Sequence, residues 1–122
     1  MKCYCVMNFK EPLGLMEMET PTPTGTQVLV EVRAAGVCHS DIHFWEGSYD
    51  LGNGRSLLLK DRGIKLPMTM GHETAGTVVA LGAEATGVEK GRNYLVYPWI
   101  GCRQCPACLD GLENHCSAPQ YL

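Results

Sequence analysis

The chain has 122 residues, of which 45% are apolar and 19% charged, and its formal net charge is −3. That is enough chain for one domain with a real core. No Lys/Arg block argues for nucleic acid or an anionic membrane surface, and no apolar run approaches the ~18 residues of a membrane-spanning helix.

Residues 2–9 (KCYCVMNF) predict a first strand, ended by Glu11-Pro12. The apolar stretch of this start is too short for a signal peptide. Seven cysteines are an odd number for a disulfide scaffold, so a reducing, cytoplasmic setting is expected. Residues 19–26 (ETPTPTGT) read as a connector. Residues 26–37 (TQVLVEVRAAGV) give the clearest strand, with Val28, Val30 and Val32 alternating with Leu29, Glu31 and Arg33. Residues 38–47 lack that alternation and predict a helical turn. Residues 48–67 read mostly as loop, with Gly52-Asn53-Gly54 marking a turn between two short strands. Residues 74–82 and 93–99 are again strands. Short strands separated by Gly/Pro turns, with no βαβ alternation, predict a mainly β barrel or sandwich-like domain over 1–122.

The C-terminal segment GCRQCPACLDGLENHC sets Cys102, Cys105, Cys108 and Cys116 at the spacing C-x2-C-x2-C-x7-C. Two residues between ligands let a tight turn aim two thiolates at one ion, so the spacing points to zinc in a closed, structural site. Bacterial iron–sulfur sites also open with C-x2-C-x2-C, but their next cysteine follows after three residues and precedes Pro. Here the gap is seven and Ser117 follows Cys116. A redox pair at Cys105-Pro106-Ala107-Cys108 lacks the βαβ context such pairs use. A closed four-thiolate site has no open coordination position, so it holds a loop and does no chemistry.

A second group lies in CHSDIH (38–43) and GHE (71–73). Cys38 and His72 are candidate ligands of a second metal, and Glu73 is a candidate to complete its shell. Asp41 is placed to fix the His72 tautomer, and Ser40 with His43 to pass a proton. A satisfied core histidine beside a buried cysteine is the plainer alternative. HETAG is not H-E-x-x-H, so the zincin protease reading fails.

The stretches QVLVEVRAAG, AAGVCHSDIHFWEG, LPMTMGHETAGTVVALG and GCRQCPACLDGLENHC resemble the N-terminal, GroES-like domain of the zinc-dependent medium-chain alcohol dehydrogenases. The resemblance runs from about Lys2 to the last residue. It implies a GroES-like, partly open barrel with few short helices and a structural-zinc lobe at 98–117. It implies that Cys38 and His72 hold a catalytic zinc, with Glu73 near enough to approach it and Asp41 supporting His72. Ser40 and His43 match the proton relay, and His43 and His39 match residues that face the cofactor. Trp45 matches a substrate-pocket wall, with a plain core aromatic as the alternative. Cys102, Cys105, Cys108 and Cys116 match the structural zinc ligands.

The implied activity is oxidation of a small alcohol to an aldehyde or ketone by hydride transfer to NAD or NADP, in an enzyme that is a homo-oligomer when complete. No nucleic acid or membrane partner is expected. The family continues into a Rossmann domain, whereas no G-x-G-x-x-G occurs here; Gly52-Asn53-Gly54 has Leu57 where the third glycine would stand. The expectation is therefore an enzyme fragment, inactive without its cofactor domain. A non-catalytic zinc-binding structural or interaction module is the alternative. A co-chaperonin role, suggested by the barrel alone, needs neither metal constellation. Arg92 after Gly91, and Arg103 between the first two lobe cysteines, depart from the family's usual Asp and small residue. The 48–66 loop is longer than in many relatives.

Overall fold

A computed structural model describes residues 1–121. In chain order the first strands are β1 (Lys2–Val6), β2 (Gly14–Glu17) and β3 (Val28–Gly36), followed by helix α1 (His39–Glu46). Then come β4 (Ser48–Asp50), β5 (Ser56–Leu58), a 3-10 turn (Leu59–Arg62), β6 (Met68–Thr69), β7 (Glu73–Leu81) and β8 (Asn93–Val96). The C-terminal part holds β9 (Trp99–Ile100), α2 (Pro106–Leu109), a second 3-10 turn (Glu113–His115) and β10 (Gln120–Tyr121). Among the described residues no helix is long and apolar enough to cross a membrane.

The chain forms two compact units. The first comprises Met1–Thr22 and Val37–Gly71. In it β1 pairs antiparallel with β2 on one side and β6 on the other. Cys5 and Val6 of β1 are buried there, as is Leu59. The first strand ends at Val6, three residues earlier than expected, because Met7–Glu11 turn back toward β2. Strand β2 is not legible in the sequence: it is short, starts at a glycine and holds no β-branched residue, so it lacks the usual signature of a strand.

Helix α1 is the helical turn expected at 38–47, extended to two turns. It ends at Gly47, whose φ of 76° is the left-handed conformation that terminates helices, and whose N–H donates to the His43 carbonyl. A Cβ at Gly47 would also lie 2.5 Å from the Phe9 ring, so no larger residue fits. Trp45 donates its Nε1–H to the Glu11 carbonyl at 2.7 Å, and the Lys10 N–H donates to the Trp45 carbonyl at 2.9 Å, tying the β1–β2 connection to the helix. Strands β4 and β5 form the hairpin suggested around Gly52-Asn53-Gly54. All three turn residues have positive φ, which two glycines and an asparagine tolerate.

The second unit comprises Pro23–Gly36 and the stretch from His72 onward. Its sheet runs β3-β7-β8, all antiparallel, and Val78 is buried at its centre. The register between β3 and β7 shifts twice, at Leu29/Val30 and at Val32/Ala34. The first shift adds Val79 on β7 and the second adds Arg33 on β3, beyond the valines, so Val28, Val30 and Val32 keep their alternation. Val30 is half-buried and Val32 is exposed. Strand β7 passes β3 closely at Gly76, where a Cβ would strike the Glu31 carbonyl. The expected strand 93–99 is divided, with β8 ending at Val96 and β9 beginning at Trp99 across Pro98, which lacks the N–H a continuous ladder needs. Strands β9 and β10 pair with each other and bracket the cysteine-rich lobe.

Candidate metal centres and family membership

The four lobe cysteines converge. Cys102 follows β9, Cys105 is the N-cap of α2, Cys108 lies within α2, and Cys116 follows the 3-10 turn Glu113–His115. Their four Sγ atoms all lie within 4.8 Å of one another. Cys102 and Cys108 are 4.0 Å apart, as are Cys105 and Cys116. A tetrahedron built on metal–sulfur bonds of ~2.3 Å has edges of about 3.8 Å, so the set fits a single tetrahedral ion. An iron–sulfur cluster would place several metal atoms between its thiolates and needs them wider apart. Among the described residues no cysteine is in a disulfide.

Backbone N–H groups point at these sulfurs. Cys102 and Ala118 donate to Cys116 Sγ, each at 3.3 Å, and Cys105 donates to Cys102 Sγ at 3.4 Å. The Ser117 N–H, followed by that of Cys108, holds the Cys105 thiol down at about 6. The Gln104 and Cys105 N–H groups lower Cys102 as well. Cys108 goes the other way, pushed up to about 12 by its burial. Such a lobe favours negative sulfur at some positions and needs a cation to accept it at all four. Gly101 is required for this approach: a Cβ there would lie 2.8 Å from both Cys108 Sγ and Glu113 Cγ. Neither this close approach nor the N–H donors can be read from cysteine spacing.

The second group is distributed over both units. Cys38 is the N-cap of α1, and its Sγ accepts the Ser40 N–H at 3.2 Å. The Asp41 carboxylate closes the cap by accepting the Cys38 N–H at 2.9 Å. Its other oxygen accepts the Gly71 N–H at 3.2 Å. Asp41 is the one charged residue in the buried set of the described residues, 2% exposed. The Cys38 sulfur thus sits at a helix N-terminus and receives a backbone N–H. His39, Ser40, His43 and Trp45 follow on the same helix.

The His43 ring lies 4.6 Å from the His39 ring and 4.4 Å from that of Tyr49. Its Nδ1 is buried without a hydrogen bond, 3.8 Å from the Glu46 carboxylate. Tyr49 is an addition to the predicted set; nothing in a lone tyrosine on a short strand announces a ring contact. In the second unit His72 is half-buried just before β7, and Glu73 is the first residue of that strand. The Glu73 carboxylate occupies the space a Cβ at Gly36 would need. His72 is bonded in sequence to Gly71, the residue that Asp41 holds.

Residues 24–122 match the family described as Alcohol dehydrogenase GroES-like domain. The chain is 43% identical over 122 residues to an NAD-dependent alcohol dehydrogenase of Saccharolobus solfataricus, covering 100% of this chain and 34% of that protein. To an NAD-dependent alcohol dehydrogenase of Sulfurisphaera tokodaii it is 41% identical, with the same coverage. Among solved structures it superposes on the alcohol dehydrogenase of the hyperthermophilic archaeon Aeropyrum pernix with a TM-score of 0.82 and 27% identity, over 100% of this chain and 33% of that one. The chain thus spans about a third of the length of the curated relatives it matches. The mainly β, GroES-like architecture expected from the sequence is the one observed, and the chain belongs to the alcohol dehydrogenase GroES-like domain family.

Proposed function

We propose that the chain is the zinc-holding, substrate-side part of an NAD- or NADP-linked alcohol dehydrogenase that oxidises a small alcohol to an aldehyde or ketone. The observation that carries this reading is the α1 cap, where the Cys38 sulfur receives the Ser40 N–H and the buried Asp41 carboxylate locks the turn. A purely structural helix has no need of a thiol at its N-cap, a position that Ser, Thr, Asp or Asn fills better.

Cys38, His72 and Glu73 are the residues that would hold the catalytic zinc, and Cys102, Cys105, Cys108 and Cys116 the structural one. When bound, the catalytic zinc supplies Lewis acidity toward an alcohol oxygen. Asp41 fixes the start of α1 and, through the Gly71 N–H, the backbone that leads into His72. Ser40 and His43 carry the alcohol proton outward, His43 taking it on the ring that leans against Tyr49. His39 and His43 are the residues that would face the cofactor. A zinc held by the lobe cysteines would tie β9, α2 and the segment before β10 together, outside the chemistry.

Elemental analysis of purified, desalted protein tests the reading. Two zinc ions per chain are expected, with one lost in Cys38→Ser and the other retained. Complementing the chain with the cofactor-binding remainder of a relative then yields alcohol-dependent reduction of NAD or NADP. A single zinc that survives Cys38→Ser, with no activity on complementation, overturns the proposal and leaves only a structural zinc module.

A further inference from the structure

Two cysteines take no part in either metal group, and they lie together on β1. Cys3 and Cys5 are two residues apart on one strand, so their side chains leave the same face of the sheet. Their Sγ atoms are 3.5 Å apart. Two methionines share that face. Met16 stands directly opposite Cys3 in the β1–β2 register, and opposite residues project to the same side. Gly14 stands opposite Cys5. In place of a side chain at Gly14, Met7 folds in: its Cγ and Sδ lie 2.5 and 3.2 Å from where the Gly14 Cβ would be. The Thr69 hydroxyl of β6 lies 3.6 Å from Cys5 Sγ and closes the other side.

We propose that Cys3 and Cys5, with the Met7 and Met16 thioethers, form a binding site for one monovalent copper ion. Two thiols and two thioethers are a soft donor set, and soft sulfur ligands select Cu(I) over the harder ions that carboxylate and imidazole favour. At metal–sulfur bonds of about 2.3 Å, sulfurs 3.5 Å apart subtend about 100° at the ion. That angle leaves room for further donors, which the methionines provide. The thiols as they stand suit an ion better than a disulfide. Closing to a bond of ~2.05 Å would ask for Cα atoms within about 6.8 Å, the limit that two steps along an extended strand reach. On binding, each thiol releases its proton to solvent as its sulfur–copper bond forms, and the copper stays monovalent. No electron is transferred.

The test is an anaerobic titration of the zinc-loaded protein with Cu(I) buffered by a chromophoric chelator, with released zinc read in parallel. One copper per chain is expected to leave the chelator with no zinc released. Cys3→Ser should lower the copper affinity by at least about 100-fold, since losing even a group that only supports a ligand costs up to that much. Cys3 is only half-buried and serine is close in size, so this variant keeps its fold, which an unchanged circular dichroism spectrum and denaturation midpoint verify. Cys5→Ser should give the same loss. Copper uptake that proceeds in step with zinc release and is unchanged in Cys3→Ser would place the ion in the lobe and overturn the proposal. Failure of any copper to leave the chelator overturns it equally.

Discussion

Asp41 and Gly71, thirty positions apart, are joined by a 3.2 Å hydrogen bond from the Gly71 N–H to the Asp41 carboxylate. The same carboxylate caps α1 through the Cys38 N–H. One buried charge therefore fixes two backbone segments, the one that begins with Cys38 and the one that ends just before His72. Removing it strands two N–H donors. Asp41→Ala should cost about 2–6 kcal/mol, since each of the two donors left without the carboxylate costs roughly 1–3. Asp41→Asn keeps an acceptor for one donor and should cost less. Denaturant unfolding reads both variants; an alanine variant with an unchanged midpoint would show that the carboxylate is not structurally required.

Cys38 has two separable properties, the cap and the sulfur. Serine is a strong N-cap and can accept the same N–H, so Cys38→Ser should leave α1 intact. It removes the thiolate donor of the proposed zinc. The expected result is unchanged helicity by circular dichroism together with a lower zinc content. Loss of helix and zinc together would mean that the sulfur acts only by capping.

Much of this was legible in the sequence because the signals are local. The lobe is written in the spacing of Cys102, Cys105, Cys108 and Cys116, since a short loop leaves few other ways to arrange four thiols around an ion. Helix α1 shows itself by the break in alternation after Val37. What was not legible depends on partners distant in the chain. The two bulges between β3 and β7 carry no local signal, because a bulge arises from the pairing of the strands and not from β3 alone. Strand β2 exists because β1 offers it an edge. The reach of Asp41 to Gly71, and the room that Gly101 leaves for Cys108, are set by the fold and by no motif.

His43 is proposed to move the proton, and its surroundings suit that task. The ring sits against Tyr49 and His39, and its buried Nδ1, without a hydrogen bond, lies 3.8 Å from the Glu46 carboxylate. In the complemented dehydrogenase, His43→Ala should slow turnover by about 100-fold, the lower range of acid–base contributions. Added imidazole should restore part of the rate. An unchanged rate at every pH would remove His43 from the relay.

Zinc binding to the lobe should depend on pH with a definite sign. Zinc takes thiolates, so any proton still on a sulfur must leave. Cys105, held down at about 6, is already a thiolate at neutral pH. Cys108, pushed up to about 12, keeps its proton across the working range and must release it to the ion. Between pH 6 and 8 the affinity should therefore rise with pH, by about tenfold or more per unit for each proton displaced. Below about 6 the dependence should steepen, because the Cys105 proton joins the competition. Competition against a chromophoric chelator at each pH measures this; an affinity independent of pH would contradict the charge arrangement.

Arg103 lies between the first two lobe cysteines with φ of 60°, a left-handed conformation in a residue that carries a Cβ. The resemblance led us to expect a small residue there, and the backbone gives the reason. Holding a non-glycine residue in that region costs roughly 1–2 kcal/mol, and glycine avoids the cost while losing some of the gain to its freer unfolded chain. The Arg103 N–H is also one of the donors that favour negative charge on Cys108, and glycine keeps it. Arg103→Gly should therefore stabilise the lobe by about 0.5–1 kcal/mol. The variant should release zinc to a chelator more slowly than the parent chain. Faster release would mean that the arginine side chain contributes more to the lobe than its backbone strain removes.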